Sequence, residues 1–132
     1  MCKVNVSENA LGEKGVIACK DLLQVPSVKR LFFCNNGLSA EASELITETL
    51  LASPALINDA LPFTTLHFYN NMSGENGAKA SAKLFERCPL LENVRYSATR
   101  AGRVGCAAIA EVYMRTDTIR VPVHLNIFIV FD

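Results

Sequence analysis

The chain has 132 residues, 50% of them apolar and 20% charged, which is long enough for one domain with a real core and too apolar for a disordered segment. Thirteen Lys and Arg balance thirteen Asp and Glu, so bulk charge supplies no pull toward nucleic acid or an anionic membrane surface. Five cysteines (Cys2, Cys19, Cys34, Cys88 and Cys106), odd in number and without C-x-x-C spacing, point away from a disulfide framework or a zinc site and toward a reducing compartment, the cytosol or nucleus.

The N-terminal run MCKVNVSENA lacks the apolar core of a signal peptide. It carries instead the first of four copies of one unit. Val4–Leu11 (VNVSENAL), Leu31–Leu38 (LFFCNNGL), Leu66–Ser73 (LHFYNNMS) and Val94–Ala101 (VRYSATRA) superpose when Asn9, Asn36, Asn71 and Thr99 are aligned. The second copy is the clearest: Val28, Leu31, Phe33, Asn36 and Leu38 fit L-x-x-L-x-L-x-x-N-x-L, the strand and turn of a leucine-rich repeat. Leu31 and Phe33 point to one face of the strand, Phe32 and Cys34 to the other. The anchors are 27, 35 and 28 residues apart, and the middle spacing is lengthened by a loop insertion, SPALINDALP, from Ser53 to Pro62.

Behind each anchor the pattern turns helical. Three residues on stand Gly12, Ser39, Gly74 and Gly102; six on stand Gly15, Ala42, Gly77 and Gly105. Small residues at this spacing are expected to let the helix entry pack tightly on the strand. Then come Ala18/Cys19, Leu45/Ile46, Ala80/Ser81 and Ala108/Ile109, followed by Leu22/Leu23, Thr49/Leu50, Leu84/Phe85 and Val112/Tyr113. That is one apolar helix stripe repeated four times. The predicted fold is α/β: a leucine-rich repeat solenoid, a ribonuclease-inhibitor-like horseshoe segment, with parallel strands on the concave face and helices on the convex face. Residues 1–117 form this domain, in about four repeats, and 118–132 an atypical tail. In that tail the alternation Val121, Val123, Leu125, Ile127, Ile129 and Phe131 reads either as an edge strand, where Pro122 is tolerated, or as sequence foreign to the repeats. The stretch is too short to span a bilayer. Both ends lack the polar caps of a solenoid, so the chain reads as a fragment of a longer one.

Stacked units place equivalent positions side by side. The outward columns are Lys3, Arg30, Thr65 and Asn93; Asn5, Phe32, His67 and Arg95; and Ser7, Cys34, Tyr69 and Ser97. Exposed Phe32, His67, Tyr69 and Arg95 make a typical protein-binding surface. The residue before each anchor gives a rim column of Glu8, Asn35, Asn70 and Ala98. Asn9, Asn36 and Asn71 are expected to be structural, their amides satisfying backbone groups in the turns. Asn35 and Asn70 read as free of such a duty, since Glu and Ala serve in the other copies, and are therefore candidates for ligand contact. No stand-alone active site is visible: His67 and His124 lack a persuasive nucleophile, and a Cys34–His67 pair is disfavoured because apolar surroundings raise a thiol's pKa. Gly74-x-x-Gly77 and Gly102-x-x-Gly105 are packing glycines, not phosphate loops, as no Lys-Ser/Thr follows. No metal or cofactor is expected.

The stretches Ser7–Gly15, Cys34–Ala42, Phe68–Ala80 and Cys88–Gly105 resemble the leucine-rich domain of the Ran GTPase-activating proteins, the last two most like its plant-type branch. The resemblance runs over residues 1–115 and is most specific at Asn35–Asn36, the Ser53–Pro62 insertion and the S-A-T-R-A-G run. It implies a regulator rather than an enzyme with its own substrate pocket, acting in nucleocytoplasmic transport in the cytoplasm, including the nuclear envelope. In this family the rim docks on GTP-bound Ran and orders the GTPase's own glutamine, which aligns the attacking water. The asparagine that touches that glutamine matches Asn35; Glu8, Asn70, Phe32, His67, Tyr69 and Arg95 would flank it as partner contacts. Neither nucleic acid nor a membrane span is implied. An arginine the family relies on lies upstream of Met1, and a basic residue of some members is Met72 here, so the chain alone is expected to activate Ran weakly or not at all. A non-catalytic leucine-rich binding module is the alternative.

Overall fold

Each strand carries an apolar pair that can be buried on one face, with the residue between them turned to the other. In the computed structural model, which describes residues 2–114 and the backbone of 126–129, Leu31 and Phe33 are fully buried while Phe32 between them is half-exposed. The elements are β1 (Lys3–Asn5), α1 (Gly12–Ala18), α2 (Lys20–Leu23), β2 (Arg30–Phe32), α3 (Ala40–Leu51), β3 (Thr65–His67), α4 (Gly74–Glu86), β4 (Asn93–Tyr96), α5 (Gly102–Met114) and β5 (Asn126–Ile129). The strands form one parallel sheet in the order β1-β2-β3-β4-β5. Because each strand steps one place in the same direction through a helical crossover of one hand, every helix falls on the same face. Neighbouring helices accordingly pack side by side, α1 and α2 on α3, α3 on α4, and α4 on α5. The described residues thus form an α/β structure with five helices on one side of a parallel sheet, compatible with a leucine-rich repeat-like segment.

The register reproduces the expected columns. Lys3, Arg30, Thr65 and Asn93 are paired in sequence, as are Val4, Leu31, Leu66 and Val94, and Asn5, Phe32, His67 and Arg95. β5 continues the series, Asn126 opposite Asn93. Residues 115–125 and 130–132, and with them His124 and most of the atypical tail, lie outside the described residues. The core lies between sheet and helices: Val4, Leu31, Leu66 and Val94 from the strands meet Val16, Ile46, Leu50, Leu84, Phe85 and Ile109 from the helices. Phe33 and Phe68 stack at 5.1 Å one strand apart, and Phe85 meets Tyr96 edge-on at 6.2 Å.

Where the strands end, paired backbone groups run out and asparagine takes over. The Asn71 Oδ1 accepts from the backbone N–H of Asn36 (3.1 Å) and Leu38 (3.2 Å), while its Nδ2 donates to the carbonyls of Phe33 and Phe68, both at 2.9 Å. Asn36 repeats this one strand earlier, accepting from Asn9 N–H (2.8 Å) and donating to the Val6 carbonyl (3.0 Å). Asn9 donates to the carbonyls of Val6 and Ser7. The Asn36 and Asn71 amides therefore fasten their own turns to the preceding ones, while that of Asn9 closes its own turn. Thr99 is buried in the fourth turn, where backbone bonds substitute: Asn71 N–H donates to Ala98 and Gly74 N–H to Thr99.

Three details differ from expectation. Gly12, Gly74 and Gly102 do not serve close packing: a Cβ at each would meet open space, and their φ values of 53°, 62° and 63° show that they are needed for a left-handed backbone. In the second unit Gly37 supplies that conformation (φ 62°), and Ser39 instead caps α3, its Oγ accepting from Ala42 N–H at 3.1 Å. The inner glycines are the packing ones, since a Cβ at Gly105 would stand 2.8 Å from the Ala78 Cβ on the adjacent helix. The first helix is broken at Cys19, leaving Ala18 exposed rather than in the stripe. The Ser53–Pro62 insertion is more than added loop: Ile57 and Ala60 exchange both backbone bonds around Asn58 (φ 50°) and Asp59 (φ 65°), a tight two-residue turn. An Asp59–Arg87 ion pair ties it to the end of α4.

Asn71→Ala would leave two N–H groups and two carbonyls of the turns without partners. It is expected to cost at least ~3 kcal/mol, read as a lower urea midpoint at unchanged slope, whereas Asn9→Ala at the exposed end of the ladder should cost about 1 kcal/mol.

Candidate functional site

The sheet face away from the helices carries no covering element among the described residues, and the candidate residues gather on it and at its upper rim. Phe32 and His67 occupy paired positions of β2 and β3, and their rings meet edge-to-face at 4.8 Å. The Lys3 Nζ stands 4.8 Å over the outer face of Phe32, a cation–π contact from β1. Tyr69 follows His67 at 6.3 Å between rings, and Arg95 is exposed opposite His67 on the next strand. The open face is thus an aromatic strip with a cation at each end.

Two members are less accessible than the alternation of the strands suggests. His67 is only 9% exposed, held by Phe32 on one side and by Asn93, whose Oδ1 lies 3.0 Å from its Nε2, on the other. Burial pushes its pKa below 6.5; the Asn93 bond works against that shift and the Arg95 charge adds to it. Asn93 was not singled out from sequence, although its place one column below Arg95 and diagonal to His67 was readable from the register. Cys34, expected to face outward, is buried beneath the Ser7 hydroxyl and Tyr69. Its thiol donates to the His67 backbone carbonyl at 3.6 Å rather than to the imidazole. Burial raises the Cys34 pKa, with the Ser7 and Tyr69 contacts opposing, so no thiolate–imidazolium pair forms here. The Tyr69 phenol is raised in turn, chiefly by the neighbouring Cys34.

The rim column is built by one backbone conformation. Glu8, Asn35, Asn70 and Ala98 all have left-handed φ, at 63°, 56°, 56° and 50°. Their N–H groups are spent on the next strand: Glu8 on Cys34, Asn35 on Tyr69 and Asn70 on Ser97. Asparagine tolerates this region better than most residues, so Asn35 and Asn70 have a backbone reason that sequence comparison of the copies concealed. Their side chains remain outside the buried ladder. Asn70 Nδ2 donates to Asn35 Oδ1 at 2.5 Å, which joins the two middle rim positions, while Glu8 and Ala98 flank them without a described side-chain bond to the pair. Met72, just beyond Asn71, is 53% exposed on the same side.

Elsewhere the described residues offer little chemistry. No three His, Cys, Asp or Glu side chains among them come together as metal ligands. No described helix is long and apolar enough to cross a membrane. Cys2 is exposed beside Arg30, whose guanidinium lies 3.7 Å from the sulfur and lowers its pKa.

No family model matches the chain. Over 124 residues it is 27% identical to a Ran GTPase-activating protein of Drosophila melanogaster, a match that covers 89% of this chain and 21% of that protein. The chain thus spans about a fifth of the length of the curated relative it matches.

Two measurements check this geometry. The imidazole of His67 has a folded-state pKa below its unfolded value, so the unfolded chain takes up the proton first as pH falls. Stability is therefore complete above about 6.5 and declines as pH drops through that value toward the folded pKa. In urea unfolding between pH 7.5 and 5, the native chain is expected to lose more stability than His67→Gln; NMR titration should place the His67 midpoint below 6.5. Ala98→Gly removes the cost of a left-handed alanine and should raise stability by about 0.5 kcal/mol, whereas Gly74→Ala should lower it by about 1 kcal/mol.

Proposed function

We propose that this chain is a leucine-rich repeat segment of a Ran GTPase-activating protein, curved with its strands on the concave side, and that it acts on GTP-bound Ran through its rim. The observation that carries this reading is the pair of side-chain amides, Asn35 and Asn70, at the carboxyl ends of adjacent parallel strands and outside the turn-holding ladder. The likeness to the fly protein gives the pair its context.

Phosphoryl transfer in a small GTPase asks little covalent chemistry of the protein; it depends on where the attacking water sits and what orients it. A side-chain amide suits the task of fixing a glutamine, because it donates and accepts without placing a charge beside the transferring phosphoryl group. In this reading Asn35 meets the GTPase's own glutamine. Glu8 and Asn70 flank it along the rim, while Phe32, Tyr69 and Arg95 grip the partner from the open face. His67 contributes by holding Phe32 edge-on rather than by offering its imidazole. The setting is nucleocytoplasmic transport, in the cytoplasm and at the nuclear envelope, where free thiols such as Cys2 persist.

A non-catalytic binding module is favoured by a different observation, the Lys3–Phe32–His67 stack with exposed Arg95, which would suit many protein partners. The two readings part on nucleotide state, since only the first requires preference for GTP-loaded over GDP-loaded Ran.

The decisive substitution is Asn35→Gly, which deletes the amide while relieving the left-handed backbone at φ 56°. Acceleration by this chain is expected to be weak, and in single-turnover hydrolysis with GTP-loaded Ran the substitution is expected to bring the rate down to that of Ran alone without lowering the thermal midpoint. Undiminished acceleration would remove Asn35 from the mechanism, and equal capture of both nucleotide states would favour the binding module.

A further inference from the structure

Resting on the reading of Asn35 just given, we infer that Asn70 is a positioning residue: it holds the Asn35 side chain by its oxygen, so that the Asn35 Nδ2 hydrogens are what the rim offers, and the partner must supply a hydrogen-bond acceptor there. The pairing of Phe32 with His67 puts Asn35 and Asn70 at equivalent places three residues further along adjacent strands. Both have φ 56°, so their side chains leave the backbone in the same sense. Their N–H groups are already committed, to Tyr69 at 3.2 Å and Ser97 at 2.9 Å, and neither competes for the amide. The remaining contact is Asn70 Nδ2 to Asn35 Oδ1.

A side-chain amide is nearly symmetric in shape and opposite in chemistry at its two ends; left alone it presents either. Anchoring the oxygen of Asn35 removes that choice and turns the nitrogen outward. No other rim pair among the described residues does this. The Glu8 carboxylate is an acceptor, and Ala98 has no polar atom. The acceptor that fits is a neutral carbonyl oxygen, such as the Oε1 of a glutamine side chain, which would then keep its own NH2 free to bond a water. In this arrangement Asn70 acts through Asn35 and touches the partner's glutamine only indirectly.

Asn70→Asp tests the polarity at constant size. A carboxylate only accepts, so Asn35 must turn its Nδ2 inward and present oxygen instead. With saturating chain and GTP-loaded Ran, the stimulated part of the hydrolysis rate is expected to be lost to the same extent as in Asn35→Gly, with affinity changed by less than about twofold. In an Asn35→Gly background the same substitution should have no further effect, as two residues acting in series are non-additive. An equal loss in that background would make Asn70 an independent contact and overturn the inference. So would an undiminished rate for Asn70→Asp where Asn35→Gly alone is defective, leaving the Asn35 assignment intact. If Asn35→Gly has no effect, both fall together. A readout independent of activity is the side-chain amide spectrum of the free chain: one Asn70 Nδ2 proton should be protected from solvent exchange and lose that protection in Asn35→Gly. Protection on Asn35 Nδ2 instead would reverse the polarity and overturn the inference.

Discussion

The structure depends on buried amides at the points where its strands stop. A three- or four-residue strand exhausts its ladder bonds quickly, and the chain must then turn toward a helix with its backbone groups still buried. In the second and third turns a buried asparagine, accepting with its oxygen and donating with its nitrogen, satisfies up to four such groups and fastens its unit to the one before it. This linkage fixes the register, and the register fixes which side chains become neighbours on the open face. The aromatic strip and the rim pair follow from it.

The same turns explain why the rim is chemically interesting. The residue before each ladder position sits in a left-handed conformation with its side chain outside the buried network, and Glu8, Asn35 and Asn70 spend their N–H groups on the next strand. The fold therefore provides a row of side chains on fixed stems, at one per strand. Glu8 and Ala98 are tolerated there at some conformational cost, whereas Asn35 and Asn70 meet the backbone demand at a lower one and also bond each other. Structural and functional reasons for asparagine coincide at these positions, and only substitution by glycine, which meets the backbone demand without an amide, separates them.

The open face combines rigidity with access. His67 is buried between Phe32 and Asn93, with its Nε2 held against the Asn93 Oδ1, so it acts as packing for the strip rather than offering a free ring nitrogen. Cys34 is likewise withdrawn, its thiol turned to a backbone carbonyl. What remains presented is Lys3 over Phe32, then Tyr69 and Arg95: apolar area with positive charge at its borders.

Periodicity alone determined the repeating unit, the alignment of Asn9, Asn36, Asn71 and Thr99, the columns of the sheet and the structural duty of the ladder asparagines, because a parallel sheet of stacked units converts sequence spacing directly into neighbourhood. It also marked Asn35 as the position to watch. Tertiary structure alone decided what depends on backbone torsion and on side-chain cover. The glycines at Gly12, Gly74 and Gly102 proved to be conformational rather than close-packed, since φ is invisible in a pattern of small residues. Cys34 and His67 proved to be buried despite facing the open side, since Tyr69, Phe32 and Asn93 from the same or adjacent strands lean over them, and strand alternation gives direction but not cover. The bond from Asn70 to Asn35 is of the same kind. The 35 residues between them set their adjacency, but the orientation of one amide by another exists only once both stems are held in place.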